Sequence, residues 1–384
     1  MNALKSFWNG LNPTFRTVLT TTVKAVITVG AFYLLFTHKV NTEDGRHITT
    51  FQAMREHIPN IDAMTFWKFC AAAALIKFVG IMASMYRWVL LLRGQGVELP
   101  FWHIFGSFLI GRFLGTFLPS TIGLDGYKLY DAARFSGRTV ECTAATAIEK
   151  VLGVLGIFLT FLVALPFGIS IFGDNAFHVA VITVPLATGV IGSFFLLLFR
   201  PSVVQWFIEN LPIPGKAKIE GFISRVSNAS AAYSNHRMLL LNAALQSWVV
   251  HFTTAAMYFF TALAVGAINA HFWQVTFASS IQIFATVISP FTIAGEGIRE
   301  IAQTYLLSHI LGTSQAIMSA ALGFWAAEAL TLTGAFFWWG RKKAYRPSFV
   351  YVDGKPLEGL PTDDDEMAAV VGGAVSTDSG AANG

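Results

Sequence analysis

The chain is predicted to be an all-α integral membrane protein, with about six full transmembrane helices and two re-entrant hairpins arranged as inverted repeats. Three observations carry that prediction. Charged residues make up only 12% of the 384 residues, against about 25% in a soluble domain, and mean hydropathy is +0.57, so the main solvent is lipid. A motif in the first half recurs 171 residues later: Pro119-Ser120-Thr121-Ile122-Gly123-Leu124-Asp125-Gly126-Tyr127-Lys128 is echoed by Pro290-Phe291-Thr292-Ile293-Ala294-Gly295-Glu296-Gly297-Ile298-Arg299. Lysine and arginine, finally, are distributed very unevenly among the connecting segments.

Runs of about 20 apolar residues mark spans, and they fall near 17–36, 66–92, 142–166, 177–199, 238–264 and 314–340. The first is too long for the core of a signal peptide and is followed by no small-residue cleavage site, so it is read as an uncleaved span. Two shorter runs, 101–118 and 272–289, open on Phe101-Trp102 and Phe272-Trp273, carry polar interruptions and end in Pro/Gly loops. A cytoplasmic N-terminus, with both short runs returning on the side they entered, puts Arg87, Arg93, Lys128, Arg134, Arg138, the basic segment 200–237 and Arg341 to Arg346 on one side. That satisfies the positive-inside rule; full crossings would turn the basic segment 200–237 outward. Three spans separate the two motifs, so the second is inverted relative to the first, as in transporters built from internal repeats.

The membrane domain is read over 1–346, with repeat cores at about 101–136 and 272–311. The segment 201–236 has the pattern of an interfacial helix pair joined by a turn. The loop 37–65 is read as lying on the outer membrane face. Residues 347–384, with Asp363-Asp364-Asp365-Glu366 followed by Gly, Ala and Ser, have the composition of a disordered acidic cytoplasmic tail. The charge distribution predicts that both termini are cytoplasmic, and the expected location is the plasma (inner) membrane.

Ionisable residues inside spans are costly and mark candidate sites. Asp125 and Lys128 stand three apart at a loop-to-helix start, as do Glu296 and Arg299, with Glu300 following. Each pair either neutralises itself and seals the hairpin tip or, with freed backbone N–H groups, binds an anionic head group. Glu149 sits about two turns into its span, and Lys150 beside it is placed to snorkel to the interface. Arg112, inside the first short run, calls for an anionic partner, and its counterpart in the second is Ile283. Pro119 and Pro290 break the two hairpins. Arg87-Trp88 is read as an interface anchor, Lys77 and Glu328 as cavity or helix-pairing residues, and Gln246 and His251 as interhelical hydrogen-bonders. Two cysteines without CxxC spacing, and no HExxH, GxSxG or GxxxxGK[ST], leave no catalytic, metal or cofactor motif, so none of these is expected.

Several of these stretches also match a known family. Arg87-Trp88 with Leu91-Leu92, Phe117-Leu118-Pro119-Ser120 leading to Gly123-Leu124-Asp125-Gly126, Ala147-Ile148-Glu149-Lys150-Val151-Leu152-Gly153, and Gly295-Glu296-Gly297-Ile298-Arg299-Glu300 resemble the flippase-like transmembrane domain of lysylphosphatidylglycerol synthases. The resemblance covers about residues 15–343 and places Asp125, Lys128, Glu149, Lys150, Glu296, Arg299 and Glu300 on the family's polar positions. Leu124 departs from the family's second glycine, which questions the tip conformation because leucine resists positive φ. The resemblance implies a stand-alone domain without the C-terminal aminoacyl-transfer domain, so lysyl transfer is not expected.

The function read from these features is movement or binding of an amphiphilic lipid, with an anionic, glycolipid or hopanoid head. The alternatives are a membrane enzyme acting on a lipid-linked head group and a non-catalytic accessory subunit of lipid or glycolipid biosynthesis. The expected partners are a membrane lipid and a lipid-synthesis enzyme or glycosyltransferase, and no nucleic acid.

Overall fold

The computed structural model describes residues 13–41, 46–117, 122–210, 216–231, 233, 236–288 and 297–341. Both hairpin tips, with Pro119, Pro290 and Glu296, lie outside these residues, as does the predicted tail. The described chain is helical almost throughout: α1 Pro13–Thr37, α2 Thr50–His57, α3 Ala63–Gly94, α4 Phe101–Phe117, α5 Ile122–Ser136, α6 Thr139–Gly168, α7 Ala176–Phe199, α8 Pro201–Asn210, α9 Lys216–Ala231, α10 Arg237–Ala264, α11 Phe272–Ile288, α12 Ile298–Leu311, α13 Thr313–Ala329 and α14 Gly334–Gly340. Among the described residues, Ala63–Gly94, Thr139–Phe199 and Thr313–Gly340 are long and apolar enough to cross a membrane. The middle stretch is two helices, α6 and α7, divided by a kinked 3-10 segment in which Gly173 takes φ 53°.

These stretches take in the spans predicted near 66–92, 142–166, 177–199 and 314–340, whereas those near 17–36 and 238–264 are helical but fall outside them; two further departures are local. The segment after α1 forms a two-stranded antiparallel ribbon, β1 Lys39–Asn41 with β2 His47–Thr49, followed by α2. Thr49 caps α2 in a reciprocal box with Gln52, satisfying donors that the helix start leaves open. The last predicted span is interrupted by a 3-10 turn at Thr331–Thr333 between α13 and α14.

The echo in the sequence is an echo of elements. α4 and α11 each have 17 residues, at the short limit for crossing a hydrocarbon core, and each packs against the next helix in the chain. Both series are launched by the same corner. α3 ends with Gly96 at φ 74°, Gly96 N–H donating to Arg93 O and Val97 N–H to Leu92 O; α10 ends with Gly266 at φ 81°, with the same bonds from Gly266 to Leu263 and from Ala267 to Ala262. This is the Schellman closure, and its left-handed position strains any residue but glycine. The offset also relates contacts. His103 and Gln274 are counterparts, as are Ser170 and Arg341; Arg341 donates to the His103 carbonyl at 2.8 Å, while Gln274 donates to Ser170 Oγ at 3.0 Å. Each short helix thus packs on the last helix of the opposite series, α4 on α14 and α11 on α6.

The centre of the bundle is the crossing of α3 and α10, with α6 against both. A Cβ at Gly156 of α6 would run into the Ser247 backbone of α10, so only glycine permits this approach. Trp88, Leu91, Phe108, Ile148, Leu152 and Leu155 fill one core, and Tyr258, Phe277, Leu307 and Leu311 belong to a second. Two helices, α8 and α9, occupy the segment predicted as a helix pair, and α9 buries Ile223, Val226 and Ala229 in the first core. Its end is latched to α3: the buried Tyr233 hydroxyl donates to Leu91 O at 2.7 Å, and Gln95 Nε2 donates to Ala229 O at 3.0 Å.

Gly156→Ala is expected to separate α6 from α10 and to cost about 1–3 kcal/mol by overpacking, read as a lowered thermal transition in detergent. At the exposed start of α3, Asp62 accepts the Thr65 amide at 2.7 Å, and hydrogen bonding to Thr65 holds its pKa below the ordinary 3.8. A depressed carboxylate stabilises the fold above its unfolded pKa, and that contribution disappears as pH falls through the folded value. Amide protection at Thr65 should fall with pH in that range, and Asp62→Ala should remove this dependence.

Candidate functional site

Glu149 is the hub. It lies on α6, is 5% exposed, and receives two cations from different helices. Arg87 of α3 donates Nη2–H to Oε1 at 2.9 Å, and Lys128 of α5 approaches Oε2 at 2.5 Å. Arg87 also donates Nη1–H to Ser247 Oγ of α10 at 2.9 Å. Lys128 Nζ lies 3.3 Å from Asp125 Oδ1, and its ammonium sits over the rings of Trp88 at 4.6 Å and Phe108 at 5.8 Å. Two acids and two bases from α3, α5 and α6 therefore cancel, on an aromatic bed that favours cations. Asp125 occupies the first turn of α5, where the helix dipole favours its charge. Its side chain is 23% exposed against 1% for Lys128, so the acid is the member within reach of a ligand.

The second copy of the motif repeats the theme with other partners. Arg299, the counterpart of Lys128, is buried on α12 with its guanidinium 4.6 Å from the centre of the Phe324 ring on α13. Glu300 Oε1 is 3.7 Å from Arg299, while its Oε2 accepts the Gly297 amide at 2.7 Å and caps α12. Gln303, also buried, donates to Ser319 Oγ at 3.1 Å, and Ser319 lies 2.9 Å from Thr261 Oγ1 of α10.

The structure thus gathers Asp125, Lys128 and Glu149 in one cluster and Arg299 with Glu300 in another. Lys150 is exposed at the helix surface, as a snorkelling residue would be. Arg112 is held by the broken last helix, its Nε–H donating to Thr331 Oγ1 at 3.2 Å. Arg87-Trp88 is not an interface anchor: Arg87 is 7% exposed and Trp88 1%, and both belong to the Glu149 cluster. The signal was present, since a buried Lys128 and a single Glu149 left room for another charge, but the pairing joins helices 62 residues apart. Leu124 lies within helical α5, so its position demands no positive φ. Lys77 reaches Thr254 of α10 at 3.1 Å, a helix-pairing contact, whereas Gln246 bonds Asn242 on its own helix.

Removing one partner from this cluster leaves a buried charge without compensation. Glu149→Gln is expected to destabilise by about 3–5 kcal/mol, and pairing it with Lys128→Met should recover part of that loss. Thermal unfolding of the two single variants and the double variant measures the coupling; strictly additive effects would contradict it.

The family described as the lysylphosphatidylglycerol synthase TM region matches residues 16–334. No curated protein and no solved structure matches the chain. The match takes in both copies of the repeated motif and all three helices of the Glu149 cluster, which makes this a membrane protein of a family tied to lipid metabolism. The chain belongs to the lysylphosphatidylglycerol synthase transmembrane-region family.

Proposed function

We propose that the protein is a flippase-like membrane protein that binds an amphiphilic lipid and carries its polar head between leaflets. One observation carries this reading: each hairpin holds a buried basic residue at an equivalent position, Lys128 and Arg299, and each cation rests on an aromatic ring. Keeping two such charges inside an apolar bundle is costly, and proteins retain charges there chiefly along substrate and ion pathways. In this reading the hairpins are re-entrant and inverted, one opening from each side, and six helices span the inner membrane with both termini cytoplasmic.

An anionic head group, such as a phosphate-linked glycolipid or hopanoid, exchanges for a carboxylate on Lys128 and then meets Arg299. Asp125 is the first carboxylate displaced, because it is the more exposed partner of Lys128. Glu149 keeps Arg87 compensated throughout, and the acyl chains stay in lipid. The protein moves the lipid without altering its covalent bonds, and movement is passive or ion-coupled. Similar joints on opposite series, His103 with Arg341 and Gln274 with Ser170, support alternating closure of the two sides.

Purified protein in liposomes should speed the exchange of labelled anionic lipids between leaflets. Lys128→Ala and Arg299→Ala should each slow it about tenfold or more, the loss expected when a charge-assisted contact of roughly 1.5–3 kcal/mol is removed. Unchanged rates across several head groups would sink the reading, and chemical conversion of the lipid by purified protein would place it among enzymes instead.

A further inference from the structure

Three helices leave open space where they meet. Ser84 of α3, Gly153 of α6 and His251 of α10 are only half-buried, although the positions a turn to either side on the same faces are buried: Gly80 and Arg87, Glu149 and Gly156, Ser247 and Ala255. We propose that α3, α6 and α10 enclose a hydrated chamber at this level, in which His251 and Ser84 hold water deep in the membrane.

The contacts between the helices fix the level. Lys77 donates to Thr254, a Cβ at Gly80 would meet Thr253, and Arg87 donates to Ser247, so α3 and α10 run antiparallel with Ser84 opposite the turn that ends at His251. Room is shown at Gly153. A Cβ added there would meet one atom beyond its own helix within 4 Å, His251 Nε2 at 4.0 Å, whereas one added at Gly156 would overlap the Ser247 backbone and the edge of the His251 ring. The repeat supplies a contrast. The counterpart of Gly153 is Phe324, whose ring occupies that position in the second series and carries Arg299 at 4.6 Å. The counterpart of His251 is Gly80, which packs on Thr253.

The wall has hydrogen-bonding capacity to spare. Among the described residues, neither ring nitrogen of His251 nor the Ser84 hydroxyl takes a hydrogen bond, yet none of the three atoms is walled in, so each faces open space. Along α10 the space is bounded by polar contacts on both sides, Arg87 with Ser247 at 2.9 Å and Lys77 with Thr254 at 3.1 Å. An interior space with about two to four polar partners holds ordered water, whereas an apolar one stays dry. The chamber also stands between the two charge clusters. Ser247, a turn before His251, serves Arg87; Thr261, further along α10, meets Ser319, which takes the Gln303 amide one turn from Arg299. On the transport reading above, on which this role rests, the water solvates a polar head between Lys128 and Arg299, near the depth at which transporters with inverted repeats bind their cargo.

Water-edited NMR of the full chain, in nanodiscs with deuterated acyl chains, tests the chamber directly. Magnetisation from water should reach the His251 ring and the Gly153 amide, as it reaches the exposed Lys150, and should be lost at Leu155 and Ala255, which are fully buried. Gly153→Leu should remove the signal at the His251 ring and leave that at Lys150. Gly153→Ala, whose added methyl only touches the ring, is tolerated by the packing and should weaken the signal. A His251 ring that receives nothing from water while Lys150 does, or a ring signal unchanged in both variants, would overturn the chamber. Exchange of labelled lipid in liposomes separates the two claims. A wild type that moves no lipid but keeps the water signal removes the transport reading alone, and undiminished exchange in the drained Gly153→Leu protein removes only the role of the chamber in transport.

Discussion

The Glu149 carboxylate is the constraint on which the first half of the bundle depends. It compensates Arg87 from α3 and Lys128 from α5 at once, so three helices meet at a single buried anion. Taking these groups out of water costs several kcal/mol per ion, and only close geometry with additional hydrogen bonds offsets it. Those additions are visible: Ser247 takes one guanidinium donor, Asp125 shares the ammonium, and Trp88 with Phe108 supplies a polarisable floor. The glycine at 156 follows from the same demand, because it brings α6 close enough to α10 for Ser247 and Glu149 to serve one arginine.

Such a cluster is weak evidence for stability as such, since apolar replacements often stabilise as well or better. Its persistence fits a task in which charge has to be exchanged. The two halves solve the problem of a buried cation differently. Lys128 is held by carboxylates that an incoming anion can displace, whereas Arg299 lies against a ring and beside a glutamate whose other oxygen caps its own helix. The resulting asymmetry lies in how firmly each cation is committed to its neighbours.

Much of the fold was legible in the sequence because lipid enforces a simple rule: an apolar run must be long enough and its backbone bonds internal. That rule located α3, α6, α7 and α10 within a few residues, and the two shorter runs before the Pro/Gly stretches correspond to α4 and α11. The ribbon at 39–49 was not legible, since two three-residue strands carry too few alternations to register against a polar background. Lys128 and Glu149 stood out as charges in apolar surroundings. Arg87 did not, because its position near the end of a long run fits a surface anchor equally well, and only the fold brings it to Glu149. The joint of His103, Asp131 and Arg341 was hidden for the same reason: its members come from three segments spread over more than half the chain.

The Tyr233 latch has a consequence for the helix pair outside the spans. Its hydroxyl holds a carbonyl on the last turns of α3, one turn beyond the arginine that Glu149 neutralises. That bond ties the segment that follows α9 to the stretch of α3 that carries Arg87, so one continuous turn of helix lies between the latch and the charge cluster.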